Sequence, residues 1–489
     1  MNKLVVNHLE KIIVTSDCAT IMKELEVAHP AAKILVLASE MQQNEYGDAT
    51  NFVISFAGEL LKLAEDLLKD GLHTAEIVSG YQRAYDKALE ILPTLVVREI
   101  TNVRSMEEMM GAMKSVIGTK HYGYEEFLSN LVVSACQTTL SPTAQKPRLN
   151  TDSVRIAKLR GGALTQSSII KGMVILRDAE GLVKRSENAK VAVFGCGVEA
   201  AGFEAKGTVL LKNAEELLNY NKSEEKKMEE IIKSIADCGA TVVIASGVIS
   251  EMAQHYLDKY NLLTMKIVSK FELRRICGSC GATAAVNLGP VSPEELGDCS
   301  LIEVKEVGSR KVTVFNQILD EDTTVSTIVV RASTENFMND IERAIDDGVH
   351  SFKTLCHDGR LLPGAGATEL ELNKRLKAFA NEDKGLDQYA IRKFAEALDV
   401  VPRTLAENSG GDPTDTMHAL HESHNTAGTE NLGMDFDTCG ILNASEAGIY
   451  DLYATKLNAL RLAVDAAITV LKVDQIVMSK PAGGPKPPQ

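Results

Sequence analysis

The stretch that most constrains this chain is Gly47-Asp48-Ala49-Thr50-Asn51, set at the mouth of a long helical pattern. An alternating apolar run, Ile34-Leu35-Val36-Leu37, lies ahead of it. Behind it Phe52 to Lys69 carries Val53, Phe56, Leu60, Leu63 and Leu67 at helical spacing. A small-residue turn feeding a helix start aims several backbone N–H groups and the helix dipole at one spot, which suits a phosphate. Asp48 adds a hard oxygen ligand where a Mg²⁺ bridging phosphates can sit, and Thr50 adds a hydroxyl. The plainer reading of the same residues is an Asp/Thr helix cap after a tight turn.

Composition narrows the function classes. The 489 residues allow several domains and an ample core. With 52 basic against 67 acidic residues the formal charge is −15, which argues against nucleic-acid backbone binding. No apolar run is long enough to span a bilayer, and Met1 to Val6 lacks a signal-peptide layout. Nine cysteines without regular spacing suggest reduced thiols and a cytoplasmic protein.

Along the chain, residues 1 to about 140 read as mostly helical. Asp17 precedes the periodic run Ile21 to Val27 and suits an N-cap, Ser105-x-x-Glu108 suits a capping box, and Tyr124 to Thr139 suits an amphipathic helix. The polar stretch Pro142 to Asp152 is a candidate boundary. Strands are expected at Val154 to Leu159 and Ile169 to Leu176, with Lys158 just ahead of Gly161-Gly162. From about 201 to 328, helices at Ala214 to Ala236 and Glu251 to Tyr260 alternate with strands at Thr241 to Ile244, Leu262 to Val268, Val312 to Phe315 and Thr327 to Val330. That is α/β sequence without a Rossmann or Walker fingerprint, so the nucleotide is not expected there. Thr334 to His350 reads as one helix with Asp346-Asp347 near its end, where carboxylates are locally unfavourable. Lys456 to Met478 reads as a long apolar helix, and Pro481 to Gln489 as a disordered tail. Cys277-Gly-Ser-Cys280 stands alone and suits structural thiols. His418, His421 and His424, at three-residue spacing, suit a polar surface face better than a metal site.

Several of these blocks resemble, in order, those of the chaperonins in their group II form (archaeal and eukaryotic cytosolic). Gly47 to Asn51 is similar to the family's Gly-Asp-Gly-Thr-Thr phosphate loop, with Ala49 in place of the middle glycine. Ser16-Asp17-Cys18-Ala19-Thr20 is similar to its Asn-Asp-Gly-Ala-Thr, and Glu342 to Asp347 to the helix whose aspartate orients the hydrolytic water. Pro363 to Glu369 and Val401 to Gly410 match two further blocks. The resemblance implies catalytic roles for Asp347 and Asp17. It implies nucleotide contacts from Gly47, Asp48, Ala49, Thr50, Asn51, Lys158, Gly364, Gly366, Gly410 and Asp451, with Asp48 as metal ligand. Lys158 would sense the terminal phosphate, and Asp451 would bind the ribose hydroxyls.

The implied fold is a multidomain α+β and α/β chaperonin fold. Residues 1–140 and 361–489 would form a mostly helical equatorial ATP-binding domain, 141–200 and 329–360 a small intermediate hinge, and 201–328 an α/β apical substrate-binding and lid domain. The implied activity is ATP-driven folding of proteins such as actin and tubulin, in a double eight-membered ring of paralogous subunits, with ATP/ADP, Mg²⁺ and K⁺. His29 to Lys33, Lys270 to Arg275 and the ending from Val473 resemble one paralogue of the eukaryotic ring in particular. The family has a further N-terminal segment with a Gly-Pro phosphate loop, so a truncated chain is expected here. Two other readings stay open: a ring subunit that holds nucleotide without hydrolysing it, and a free monomeric client-binding protein.

Overall fold

The computed structural model describes residues 2–7, 10–140, 147–199, 214–308, 310–317, 325–426 and 428–478. Residues 142–146 of the candidate boundary and the Pro/Gly tail lie outside the described residues. The chain divides into two compact units, one made of residues 1–129 with 343–489 and the other of residues 130–342.

The first unit is a helical body built on the helix Thr50–Lys69. Val53, Phe56, Leu60 and Leu67 recur at three-, four- and seven-residue intervals and are buried, so one stripe of the helix is committed to the core. Around it pack Pro30–Tyr46, Thr74–Ile91, Ala367–Glu382, Asp387–Ala397 and Tyr453–Leu471. Phe56 meets Phe394 edge-on at 5.4 Å, and the Tyr81 hydroxyl donates to the Leu60 carbonyl at 2.9 Å. At Gly80 a Cβ would lie 2.5 Å from that of Ala390, so these two helices approach closely only because the residue is glycine.

A three-stranded sheet crosses this unit with Arg360–Pro363 in the middle, between Tyr450–Leu452 and Arg98–Glu99. Its register sets Leu362 opposite Asp451, bringing the glycine-rich turn after Pro363 beside the turn that precedes Tyr450. A short hairpin, Lys3–Val6 against Ile12–Thr15, delivers the chain to Asp17.

The second unit holds a nine-stranded mixed sheet. Val154–Arg160 runs parallel to Ser326–Ala332, and Arg185–Phe194, Val242–Ala245 and Leu263–Lys266 form a parallel group. Antiparallel strands Ser168–Ile175, Arg310–Asn316 and Gly297–Val307 join the two groups. The parallel strands alternate with the helices Ala214–Asp237 and Glu251–Lys259, as the α/β pattern predicts.

Several expectations need correcting. Ile34 to Leu37 lies within the helix Pro30–Tyr46. The helix carrying Asp347 runs Glu335–His357, so the acid pair sits well inside it; its apolar stripe continues through Val349, Phe352 and Leu355, all buried. The last helix is Tyr453–Leu471 and stops short of the expected Met478. Ser105 caps Met106–Gly118, but the Glu108 carboxylate accepts from Asn102 N at 3.2 Å, three residues ahead of the cap. The three histidines lie on Pro413–His424, where a three-residue step drifts about 60° around the helix axis. His418 is therefore exposed, whereas His424 is buried between the Leu432 carbonyl at 2.7 Å and Glu371 at 3.4 Å. Cys280, read as a structural thiol, does pack beside Cys299 in an apolar core, and that contact, with burial, raises its thiol pKa.

Candidate nucleotide site

The loop that opens Thr50–Lys69 is shaped by two left-handed residues. Gly47 (φ 73°) ends Pro30–Tyr46, its N–H bonded to the Gln42 and Gln43 carbonyls at 3.3 and 3.0 Å. Ala49 (φ 63°) is the N-cap of the next helix, and no side chain caps that helix start. A left-handed alanine costs about 1–2 kcal/mol, a strain that glycine would avoid. Asn51 Oδ1 accepts from Phe52 N at 2.9 Å, and Thr50 is buried with its carbonyl accepting from Ser39 Oγ at 3.4 Å.

At Gly47 a Cβ would fall 2.8 Å from His350 Cβ and 3.2 Å from Asp347 Cα, so the Asp347 helix lies directly on the loop. Gly47→Ala combines this clash with a positive φ. It is expected to cost about 1–3 kcal/mol, read as a lowered Tm of the purified assembly.

Asp17 caps Cys18–Glu24 through Thr20 N at 3.0 Å and the Thr20 hydroxyl at 2.6 Å. It does more than cap. Lys120 Nζ stands 3.1 Å from Asp17 Oδ1 and 3.0 Å from Asp347 Oδ2, so one ammonium joins two acids brought from distant parts of the chain. Gln43 Nε2 donates to Asp347 Oδ1 at 2.7 Å. Burial pushes Asp347 up to about 7, against the pull of Lys120. Burial also raises Asp17, but Lys120 and Thr20 outweigh it and leave that carboxyl below its ordinary value. Lys120 is held firmly charged, because its acids more than offset its own burial.

A second ammonium, Lys456, lies 2.5 Å from Glu369 and 2.8 Å from Asp451, with its Nζ 4.9 Å from the centre of the Phe52 ring. Glu369 is in the first turn of Ala367–Glu382, whose N-cap is Gly366 (φ 80°), again without a side-chain cap. Lys456 therefore touches the first turns of two uncapped helices. Asp48 belongs to both clusters: burial raises its pKa, and it feels the fields of Lys120, Asp451 and Lys456.

Gly364 packs against Ile449, where a Cβ would lie 3.0 Å from Ile449 Cγ2, and Gly366 against Pro402 at 3.1 Å, so the two glycine-bearing blocks meet. Gly410 (φ 84°) ends Val400–Ser409 and faces open space. Lys158 belongs to the other unit. There its Nζ bonds Asn339 at 2.8 Å and Glu342 at 2.6 Å, so it is not a solvated strand lysine.

Sequence reasoning missed Lys120, Lys456, Glu369 and Gln43. Glu369 stood in a recognised block without a role, and the two lysines carry no local signal because only the tertiary fold buries them.

The donor set suits a magnesium nucleotide. Five acids (Asp17, Asp48, Asp347, Glu369, Asp451) surround two lysines, so a phosphate chain is repelled unless a cation comes with it. Among the described residues no group of three or more His, Cys, Asp or Glu side chains could hold a metal alone. A Mg²⁺ here must therefore take ligands from phosphate and water, which is its usual habit beside one or two carboxylates. Buried polar atoms without a hydrogen-bond partner in the protein, among them Ser16 Oγ, Gln43 Oε1 and His350 Nδ1, belong to residues beside Asp17, the loop and Asp347.

Uncapped helix starts over an excess of carboxylates, in a chain that also carries a mixed-sheet unit, fit a chaperonin, and the chain belongs to the TCP-1/cpn60 chaperonin family, whose family model matches residues 1–481. Among its relatives, T-complex protein 1 subunit theta of Gallus gallus is 49% identical over 490 residues, covering 100% of this chain and 88% of the relative. The theta subunit of Dictyostelium discoideum is 47% identical over 489 residues, covering 100% and 90%. That of Homo sapiens is 48% identical over 490 residues, covering 100% and 88%. Theta is the paralogue to which the narrower stretches point.

Proposed function

We propose that this chaperonin subunit binds and hydrolyses ATP, and that hydrolysis drives lid closure and assisted folding in a cytosolic double ring of eight-membered, paralogous composition. Clients such as actin and tubulin, and Mg²⁺ with K⁺ beside the nucleotide, belong to the same reading. The observation that carries it is the sharing of Lys120 by Asp17 and Asp347 against the loop of Gly47 and Asp48.

When bound, Mg²⁺–ATP supplies an electrophilic γ-phosphoryl group and the counter-charge for its oxygens. The chain supplies the rest. Uncapped N–H groups of Thr50–Lys69 and Ala367–Glu382 would receive phosphate oxygens, and Asp48 would offer a carboxylate oxygen to the metal. Asp347, with a pKa near 7, is poised to take a proton from water at neutral pH. Lys120 keeps Asp17 and Asp347 oriented by holding one oxygen of each. Lys158 and Asp451 are read as a phosphate sensor and a ribose contact.

The rival reading, a subunit that holds nucleotide without turnover, is favoured by Ala49, whose Cβ projects from a left-handed loop position. Ala49→Gly separates the two. Turnover at this subunit should rise several-fold, with stability unchanged within about 1 kcal/mol because relieved strain offsets added chain entropy. Site-resolved nucleotide content after incubation is the measurement. Intact ATP in both proteins would favour the holding subunit, and a single-subunit mass in solution would remove the ring altogether.

A further inference from the structure

Gln42 and Gln43 are adjacent on Pro30–Tyr46, one turn before the phosphate loop, yet they use their carboxamides differently. Gln42 spends both ends inside the protein. Its Nε2 donates to the Asp48 carbonyl at 2.9 Å and the Thr455 carbonyl at 3.3 Å, and its Oε1 accepts from Asn458 Nδ2 at 2.9 Å. That side chain ties the loop to the Lys456 helix and has nothing left to offer a ligand.

Gln43 spends only one end. Its Nε2 donates to Asp347 Oδ1 at 2.7 Å. With the amide nitrogen donating to that oxygen, the other end of the carboxamide, Oε1, faces elsewhere. Oε1 is buried and has no hydrogen-bond partner in the protein. An orphaned buried acceptor costs about 1–3 kcal/mol, so a fold that keeps one points to an occupant with a hydrogen to give. Asp347 Oδ2 is already paired with Lys120 at 3.0 Å.

We propose that Gln43 is a second water-orienting residue: its amide holds Asp347 Oδ1 while its free Oε1 accepts one hydrogen of the attacking water. The inference rests on the ATPase reading above. In the step it serves, the water oxygen bonds to the γ-phosphorus as the bond from that phosphorus to the β–γ bridging oxygen breaks. The departing ADP keeps the bond's electron pair, and the water proton passes to the Asp347 carboxylate. Gln43 changes no covalent bond; it fixes the direction in which the water's lone pair points.

The test uses the assembled ring carrying Gln43→Met, which keeps the length of the side chain and removes both polar ends. The rate of a single turnover at saturating ATP should fall about 10–100-fold, as expected for loss of one positioning contact on the nucleophile. Affinity for ADP with aluminium fluoride, which mimics the transferring phosphoryl group, should fall by a similar factor, while affinity for ADP alone should change less than about twofold. A merely structural glutamine would weaken both ligands together, and that result overturns the inference, as does an unchanged rate. Should Gln43→Met not assemble, Gln43→Asn withdraws the carboxamide by one methylene and carries the same expectations. The unsubstituted ring and Asp347→Asn separate the levels of the inference. If the unsubstituted ring leaves ATP intact at this subunit the ATPase reading fails; if Asp347→Asn hydrolyses normally the role of Asp347 falls and that of Gln43 with it; if Asp347→Asn abolishes hydrolysis while Gln43→Met does not, only the role of Gln43 falls.

Discussion

Asp347→Asn is expected to lower ATP turnover at this subunit by about 10²–10⁴-fold, the usual worth of a positioned general base, with the nucleotide still bound. The side chain is 1% exposed and lies against the phosphate loop. Asparagine keeps the shape, but its one oxygen can accept from Gln43 or from Lys120 and not from both, so the change removes the basicity together with one of these contacts. Burial raises the Asp347 carboxyl from 3.8 to about 7, so wild-type turnover should climb as pH rises through about 7 and level off above it. The same shift has a stability consequence of opposite sign. A group whose folded pKa is raised contributes stability fully below its unfolded value, near 3.8, and that contribution is lost as pH rises through about 7. Activity therefore appears over the range in which this group sheds stability. Asp347→Asn should remove both dependences. Single-turnover hydrolysis and denaturation curves taken from pH 5 to 8 read the two effects separately, on a scale set by the shifted carboxyl. Undiminished hydrolysis would strike Asp347 from the mechanism.

The helices of the first unit were legible because their signals are local. Phe52 to Lys69 announces its apolar stripe within one helix, and the loop ahead of it announces a helix start. Strands of the second unit such as Val154–Arg160 and Ser326–Ala332 were legible from short apolar runs, but Arg185–Phe194 and Gly297–Val307 were not, because polar and charged residues interrupt them. Boundaries were lost where tertiary contact overrides local preference. Asp346-Asp347 suggested a helix end, yet Phe352 and Leu355 bury the stripe for two more turns. The Lys456–Met478 pattern stayed apolar past the point where the helix stops at Leu471. In the site, Asp17, Asp48, Asp347 and Asp451 could be picked out through resemblance, whereas Glu369 sat in a recognisable block without a role. The partners of these acids could not be picked out. Lys120 follows an ordinary amphipathic helix, and Gln43 is one of two neighbouring glutamines that differ only in what the fold sets beside them. What no local signal announces is that the Asp347 helix packs directly on Gly47.

Lys120→Met is the substitution expected to destabilise the chain most. Removing this ammonium leaves Asp17 and Asp347, with side chains 5% and 1% exposed, facing one another without a counter-charge. Breaking a buried ion pair from one side costs about 3–5 kcal/mol, whereas an exposed pair such as Lys69 with Glu65 is screened by water and adds little. For a unit of this size that corresponds to a Tm lowered by roughly 10 °C. The sign with pH follows from the raised Lys120 pKa: its contribution is fully present below the unfolded lysine value of 10.5 and persists through the neutral range. The origin of the loss can be checked by neutralising the acids as well. Lys120→Met with Asp17→Asn and Asp347→Asn removes the buried charges along with their partner, and most of the lost stability should return although three polar contacts are gone. If the triple variant is as unstable as Lys120→Met alone, the lysine stabilises through packing of its alkyl chain, and the electrostatic account of this cluster is wrong. If stability returns without turnover, the cluster exists for chemistry: the fold tolerates two buried acids only because one ammonium holds them, and a chain selected for stability alone would have had no need of either.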